Sequence, residues 1–190
     1  MRNIEHFSYR LFSYCRVTPI LCIFKFMSHN PQLQVVDPTF SCASLSGSEG
    51  LGRIHLPLLH TFTIVSCRLS PTAILSFLHR NPTIQVLAID IRFYQPPVLF
   101  GLIIGTLPNL HTFICSRNGT WLYICSATPP LRHLQRLGIN NFDEENESDT
   151  AALLAVSETL ESITVDPDDE VDLVAERTSV GRWAREVLPH

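Results

Sequence analysis

The sequence predicts an α/β solenoid, in which short parallel strands form one sheet and connecting segments, several of them helical, cover one side. Three observations lead to this fold class. One short apolar pattern occurs six times, its copies follow one another at a nearly constant interval, and helix-start signals lie between them. We expect six to seven irregular repeats, each roughly 24–26 residues long. The six copies begin at Leu33, Leu59, Ile84, Leu110, Leu134 and Leu160.

Each copy predicts a short strand with alternate side chains facing the core. The pattern reads apolar–x–x–apolar–x, and a third apolar residue usually follows. In the second copy, Leu59, Phe62 and Ile64 are therefore expected to enter the core together. Parallel neighbours need a crossover of about a dozen residues or more, and the intervals leave room for one.

The clearest crossover helix follows the second strand. Ser70 is a favourable N-cap and Pro71 suits the first helical position. The helix should end at Asn81, because Pro82 disfavours helical geometry in the residue before it. The apolar stripe expected to face the core comprises Ile74, Leu75, Phe77 and Leu78.

The other connections carry weaker signals. Thr18 and Pro19 open a first helix in the same way. Residues 96–105 predict a third helix weakened by two glycines, residues 121–126 a short turn, and residues 151–156 a further helix. Residues 41–55 are rich in serine and glycine and predict an irregular loop. The resulting division is a degenerate N-terminal segment (1–17), a repeat domain (18–166) and a C-terminal cap or tail (167–190).

A second period, of 51 residues, relates alternate units. FMSHNPQLQVV, from Phe26, matches FLHRNPTIQVL, from Phe77. LPLLHTF, from Leu56, matches LPNLHTF, from Leu107. Because both pairs have the same offset, the sequence indicates duplication of a two-unit block.

Composition excludes several classes of function. A net charge of −4 over 190 residues argues against a nucleic-acid partner, which requires a basic face. The longest uncharged run near the N-terminus, residues 17–24, is far shorter than the roughly 20 residues that span a bilayer. Six cysteines without CxxC spacing indicate reduced, mostly buried thiols. We expect a soluble protein of the cytoplasm or nucleus without a membrane partner.

No motif indicates catalysis, a metal or a cofactor. The P-loop, GxSxG, HExxH and dinucleotide-binding patterns are absent from the sequence. His60 and His111 occupy the second position of alternate copies, so about 10 Å should separate them, too far for one shared metal. They predict a polar rim of the sheet. The acidic runs at 143–149 and 166–172 lack calcium-loop spacing and indicate solvated connections or a docking surface for a basic partner.

The copy that begins at Leu59 carries an extended motif, LHTFTIVSCRL. It resembles the leucine-rich repeat superfamily, whose pattern continues to an Asn or Cys and a further apolar residue. The resemblance covers roughly residues 18–166 and implies a leucine-rich repeat solenoid with the sheet on its concave side and helices on its convex side. It also implies a structural role, tying neighbouring turns together, for Cys67 and Asn118.

The irregular units, with their LPNL and NPTI openings, look most like the repeats of fungal F-box proteins. That resemblance implies the substrate-recognition part of a ubiquitin ligase receptor, with a ligase adaptor as a further partner. No F-box pattern is visible in the segment that precedes Leu33. A lost domain, a truncated chain and a different subclass therefore stay open.

The variable strand positions predict a partner-binding face on the concave side of the sheet. They are mostly small, β-branched and uncharged, which suits a protein or peptide, although such residues are also simply good strand formers. We expect a protein-interaction scaffold; the alternatives are a stand-alone inhibitor and a fragment without its own function. The residues expected to contact the partner are Val35, Thr61, Thr63, Val86, Ala88, Asp90, Thr112, Ile114, Ser116 and Arg136.

Overall fold

A computed structural model of the chain describes residues 4–11, 18–40, 48–67, 70–91, 107–115, 133–140, 151, 154 and 159–166. The strands in these ranges form one open sheet of seven parallel strands, ordered in space as they are in the sequence. This arrangement confirms the parallel sheet of the predicted fold class. The strands are β1 (His6–Leu11), β2 (Val35–Phe40), β3 (Thr61–Cys67), β4 (Val86–Ile91), β5 (Thr112–Cys115), β6 (Arg136–Asn140) and β7 (Ser162–Asp166).

One backbone hydrogen-bond pattern recurs at every step between neighbouring strands. The carbonyl oxygen at the second pattern position accepts two N–H groups of the next unit, as Gln34 does from His60 at 3.0 Å and Thr61 at 3.1 Å. The same two bonds occur at all six steps of the sheet. Their acceptors are Glu5, Gln34, His60, Gln85, His111 and Gln135.

Strand β1 lies in the segment for which the sequence predicts only a degenerate pattern. It pairs with β2 from His6 opposite Val35 to Leu11 opposite Phe40. Ile4, Phe7 and Tyr9 follow the spacing of the other copies, but the interval from Ile4 to Leu33 is longer than the rest. The Phe7 ring packs on Phe26 with centroids 4.7 Å apart. The sheet therefore has one more unit than the six-copy pattern shows.

The core contains the apolar side chains that the pattern points inward. All six first-position residues are buried, as are Ile64, Ile89 and Cys115 at the sixth position. Helix α2 (Pro71–Arg80) covers this side of the sheet, with the Phe77 and Phe62 rings 4.5 Å apart. The predicted direction of Leu59, Phe62 and Ile64 is confirmed. The buried fourth-position residues are Val36, Phe62, Leu87, Phe113 and Leu137.

The two helices that the structure describes as complete elements begin where the sequence predicts. Helix α1 spans Thr18–Ser28, and α2 is flanked by Ser70 at its N-cap and Asn81 at its C-cap. The Ser70 hydroxyl makes no capping bond and instead lies 2.6 Å from the Thr72 hydroxyl. Ala151 and Leu154 are helical, whereas the predicted connections at 96–105 and 121–126 lie outside the described residues. Among the described helices, none has the length and apolar character needed to cross a membrane.

The prediction of an irregular loop over residues 41–55 is wrong for its second half. Ser48–Arg53 form a 3₁₀ helix. Leu51 within this helix and Ile54 directly after it are both buried. Gly52 allows this helix to approach α2, since a Cβ there would lie 3.0 Å from the Ser76 Cβ and 3.2 Å from the Ala73 carbonyl oxygen. Gly52, which resembles a loop signal in the sequence, therefore serves close packing.

Asn81 joins two neighbouring crossovers through its buried side chain. Its Nδ2 donates to the carbonyl oxygens of Phe77 at 2.7 Å and Ile54 at 3.2 Å. Its Oδ1 accepts the Leu56 N–H at 2.7 Å. Ile54 and Leu56 belong to the preceding unit, so one side chain closes α2 and attaches it to the 3₁₀ segment. At 0% exposure, this amide is the buried polar group of the described core.

Asn30 lies 51 residues before Asn81, which is the period that relates alternate units. It repeats only part of this arrangement. Its Nδ2 donates to the Phe26 carbonyl oxygen at 2.7 Å, matching the bond from Asn81 to Phe77. Its Oδ1 accepts from Gln32 within the same turn, at 3.4 Å, instead of from a neighbouring crossover. Asn30 therefore closes α1 without joining two units.

We expect Asn81→Ala to lower the free energy of unfolding by about 2–4 kcal/mol, because it leaves the Leu56 N–H and two carbonyl oxygens without a partner in the core. Urea denaturation followed by circular dichroism measures the change. Asn30→Ala is the matched control and should cost about 1 kcal/mol, since it loses local bonds at a partly solvated site. Equal losses for the two variants would contradict the joining role of Asn81.

Candidate functional site

The sheet has a face opposite the core, which we call the open face. Strand alternation places the third and fifth pattern positions on it, while the fourth and sixth face the core. The register aligns Thr61, Val86, Thr112 and Arg136 strand by strand, and Thr63, Ala88 and Ile114 form a second row. From β2 to β7, the open face consists of Val35, Thr61, Val86, Thr112, Arg136 and Ser162 in the third position and Asp37, Thr63, Ala88, Ile114, Gly138 and Thr164 in the fifth.

Eight of the ten residues expected to contact a partner share this face. The side chains from β2 to β5 are partly buried, apart from the exposed Ile114, and Arg136 in β6 is also exposed. Asp90 lies in β4, in register with Val65 of β3. Ser116 lies outside the described residues.

The predicted structural roles of Cys67 and Asn118 are not tested by any contact of the described residues. Cys67 is the last residue of β3, just beyond a register shift that begins at Val65. Asn118 falls outside the described ranges. Of the cysteines whose environment is described, Cys115 is buried as expected, whereas Cys22 on α1 is exposed.

Ile114 is the largest exposed apolar side chain of the open face. It is 44% exposed, and its neighbours in the same row are Ala88 and Gly138. An ideal Cβ on Gly138 would lie only 3.1 Å from the Ile114 Cγ2 and 3.2 Å from its Cγ1. The isoleucine side chain therefore leans over the glycine and forms an apolar knob between two small residues.

Two side chains of opposite charge lie on either side of the centre of the open face. Asp37 in β2 is partly buried and accepts a long hydrogen bond of 3.5 Å from the Ser8 hydroxyl of β1. Arg136 lies in β6, on the other side of the centre. Between them, β3, β4 and β5 contribute only threonine, valine, alanine and isoleucine to the face. A partner would meet an uncharged centre bounded by one acid and one base.

A polar rim runs along the edge where the strands begin. It is formed by the second-position residues, whose carbonyl oxygens hold the strands together. His60 and His111 lie two strands apart, about 10 Å, and each Nδ1 contacts the next threonine hydroxyl, at 3.0 and 2.9 Å. Within the described ranges, no three potential metal ligands cluster. The rim consists of Glu5, Gln34, His60, Gln85, His111, Gln135 and Glu161.

Sequence reasoning did not identify two threonines at the entry to the strands. Thr83 donates to the Leu59 carbonyl oxygen at 2.7 Å, and Thr159 donates to that of Leu134 at 3.0 Å. Each threonine comes one residue before a pattern copy and reaches the first-position carbonyl of the preceding unit. The position before the pattern varies among the copies, so the sequence offers little signal for this role.

The chain matches no known protein family, and no curated protein is significantly similar to it in sequence.

We expect Gly138→Ala to give no gain in stability in the wild-type protein but to stabilise an Ile114→Ala variant by about 0.5–1 kcal/mol, since alanine is ordinarily favoured over glycine inside a strand by that amount. In the wild type, the new methyl group would displace the Ile114 side chain. A double-mutant cycle measured by urea denaturation gives the coupling energy. Additive effects would show that Ile114 does not lean over Gly138 in solution.

Proposed function

We propose that this chain is a protein-interaction scaffold that binds a protein partner on its open face. The observation that supports it most directly is the pair of aligned rows on that face, opposite the buried core. Parallel sheets are ordinarily covered on both faces. In the described part of the chain, the buried pattern positions and α2 lie on one side, whereas the rows of the other side keep exposed surface.

The size and chemistry of the open face favour a protein partner over a nucleic acid. Six strands from β2 to β7, about 4.8 Å apart, span about 25 Å, the scale of one side of a standard protein interface. Arg136 is the single cation in the two described rows, and the net charge of the chain is −4. A phosphate backbone requires several cations. The Ile114 knob suits an apolar pocket on a protein surface, where such anchors supply much of the binding energy.

The resemblance to F-box repeat proteins supports a narrower proposal, in which the open face holds a substrate for ubiquitin transfer. In that case a ligase adaptor would be recruited as well, through a further domain. A stand-alone inhibitor or scaffold would use the same face without an adaptor. The two possibilities differ in what accompanies the bound partner, so one purification experiment distinguishes them.

We expect the double variant Val86→Lys with Ile114→Lys to lose the partner, because two ammonium groups would be placed in the uncharged centre of the interface. Affinity purification from cell extract with quantitative mass spectrometry should show a loss of the partner of about tenfold or more. Leu58→Lys is the matched control. Leu58 is an equally apolar, 54% exposed residue in the turn before β3, outside the open face.

Thermal unfolding of the three proteins verifies that each variant is folded. Recovery of a ligase adaptor with the wild type and the control would support the ubiquitin-ligase proposal. A partner without an adaptor would support the inhibitor or scaffold. Identical profiles for the control and the double variant would overturn binding at the open face.

A further inference from the structure

The outer edge of β1 carries a row of backbone hydrogen-bonding groups. In the described part of the chain, β1 pairs with β2 alone and is the first strand of the sheet. The Glu5 carbonyl oxygen accepts the Val35 N–H at 3.1 Å, so it points toward β2. Because the direction of the N–H and C=O groups alternates along a strand, those of His6, Ser8 and Arg10 point away from β2. The edge therefore presents three N–H donors and three carbonyl acceptors.

Of the two edges of the described sheet, β1 is the better suited to add a strand. Natural edges are commonly blunted by proline, by β-bulges or by very short strands. β1 has six residues without proline, and its pairing with β2 runs without a shift in register. β7 has five residues and is followed by Pro167. Its outward backbone groups are those of Ile163 and Val165 only.

The core side of β1 also leaves apolar surface in contact with solvent. Ile4, in the first pattern position, is 40% exposed, whereas the first-position residues of the other six units are at most 8% exposed. Phe7 and Tyr9 are partly buried, and their rings stack with centroids 6.3 Å apart against the core. The fourth-position residues of β2 to β6 are at most 1% exposed. A strand added at this edge would cover these side chains as well as pair the backbone.

We propose that the edge of β1 pairs with the same edge of a second copy of this chain, antiparallel and about a two-fold axis at Ser8. The outward groups are placed symmetrically about Ser8, so two copies complement each other. Ser8 then lies opposite Ser8 of the second copy, and His6 lies opposite Arg10 of the second copy. Every outward N–H meets a carbonyl oxygen, which gives about six hydrogen bonds between the chains.

Other registers of the antiparallel pair satisfy fewer of these groups. A shift of one residue places outward groups opposite groups that face β2. A shift of two residues leaves one outward residue of each copy outside the ladder. The register centred on Ser8 is therefore the one in which the described edge satisfies itself.

The same register joins the two cores. Residues opposite each other in an antiparallel pair lie on one face of the sheet, so Phe7 meets Tyr9 of the second copy on the core side. These are non-hydrogen-bonded pairs, in which the side chains approach most closely. The two seven-stranded sheets become one, and both open faces lie on the same side of it. The dimer goes beyond the proposed function and does not depend on it.

Sedimentation equilibrium of the full chain, from about 5 µM to 0.5 mM, tests the dimer. We expect the mass to rise from 21.4 kDa to twice that value and no further. The Kd should be about 10–100 µM, because a single strand pair is smaller than a standard interface.

Ser8→Pro removes the central outward N–H, which the pairing of β1 with β2 does not use. We expect it to raise the Kd of the dimer about tenfold or more. Ser8→Thr is the matched control, since it keeps the N–H and suits a strand, and it should change the Kd less than about twofold. Matching circular dichroism spectra verify that both variants are folded.

A pair of cysteine variants tests the register without disturbing the backbone. Ser8→Cys places two thiols at the axis with Cα atoms about 5.5 Å apart, within the range of a disulfide. His6→Cys is the matched control, because the two copies of this position would lie roughly 14 Å apart. Under mild oxidation, non-reducing electrophoresis should show about tenfold more cross-linked dimer for Ser8→Cys than for His6→Cys or the wild type.

Three results would overturn the proposal. The first is a mass that stays at one chain up to about 0.5 mM. The second is a mass that grows beyond two chains, as pairing of β1 with β7 of the next copy would produce, since such a head-to-tail contact does not close. The third is equal cross-linking of Ser8→Cys and His6→Cys.

Discussion

The structure depends on one carbonyl oxygen in each unit. By accepting two N–H groups from the next unit, the second-position carbonyl sets the register at every step from β1 to β7. Because side chains alternate along a strand, a slip of one residue would exchange the core face with the open face. The buried core, the open face and the polar rim therefore all follow from a bond in which no side chain takes part.

The crossovers reinforce this register from the core side. Asn81 bonds to its own helix and to the preceding unit, and Gly52 lets the 3₁₀ helix approach α2. In the described part of the chain, these contacts join neighbouring units. Consequently, an open face can vary residue by residue without disturbing the core, which is a property suited to a binding surface.

The pattern period predicted six of the seven strands, because apolar residues at the first and fourth positions must be buried whatever the neighbouring unit contributes. It missed β1, whose copy stands at a longer interval from Leu33. It also missed the 3₁₀ helix, since glycine is equally compatible with a loop and with close packing. For the candidate site, the sequence placed eight residues on one face but did not reveal that Ile114 leans over Gly138.

The sequence by itself determined which side chains face inward and where α2 begins and ends, because periodicity, Pro71 and the Asn81–Pro82 pair act locally along the chain. The tertiary structure alone decided which residues of different units meet. A polar groove along the rim brings together Gln85, His111, Gln135 and Thr159 from four successive units, and Asn81 meets Leu56 of the preceding crossover. Such contacts depend on how neighbouring units stack, and a repeating pattern specifies the existence of a neighbour but not the distance between particular atoms.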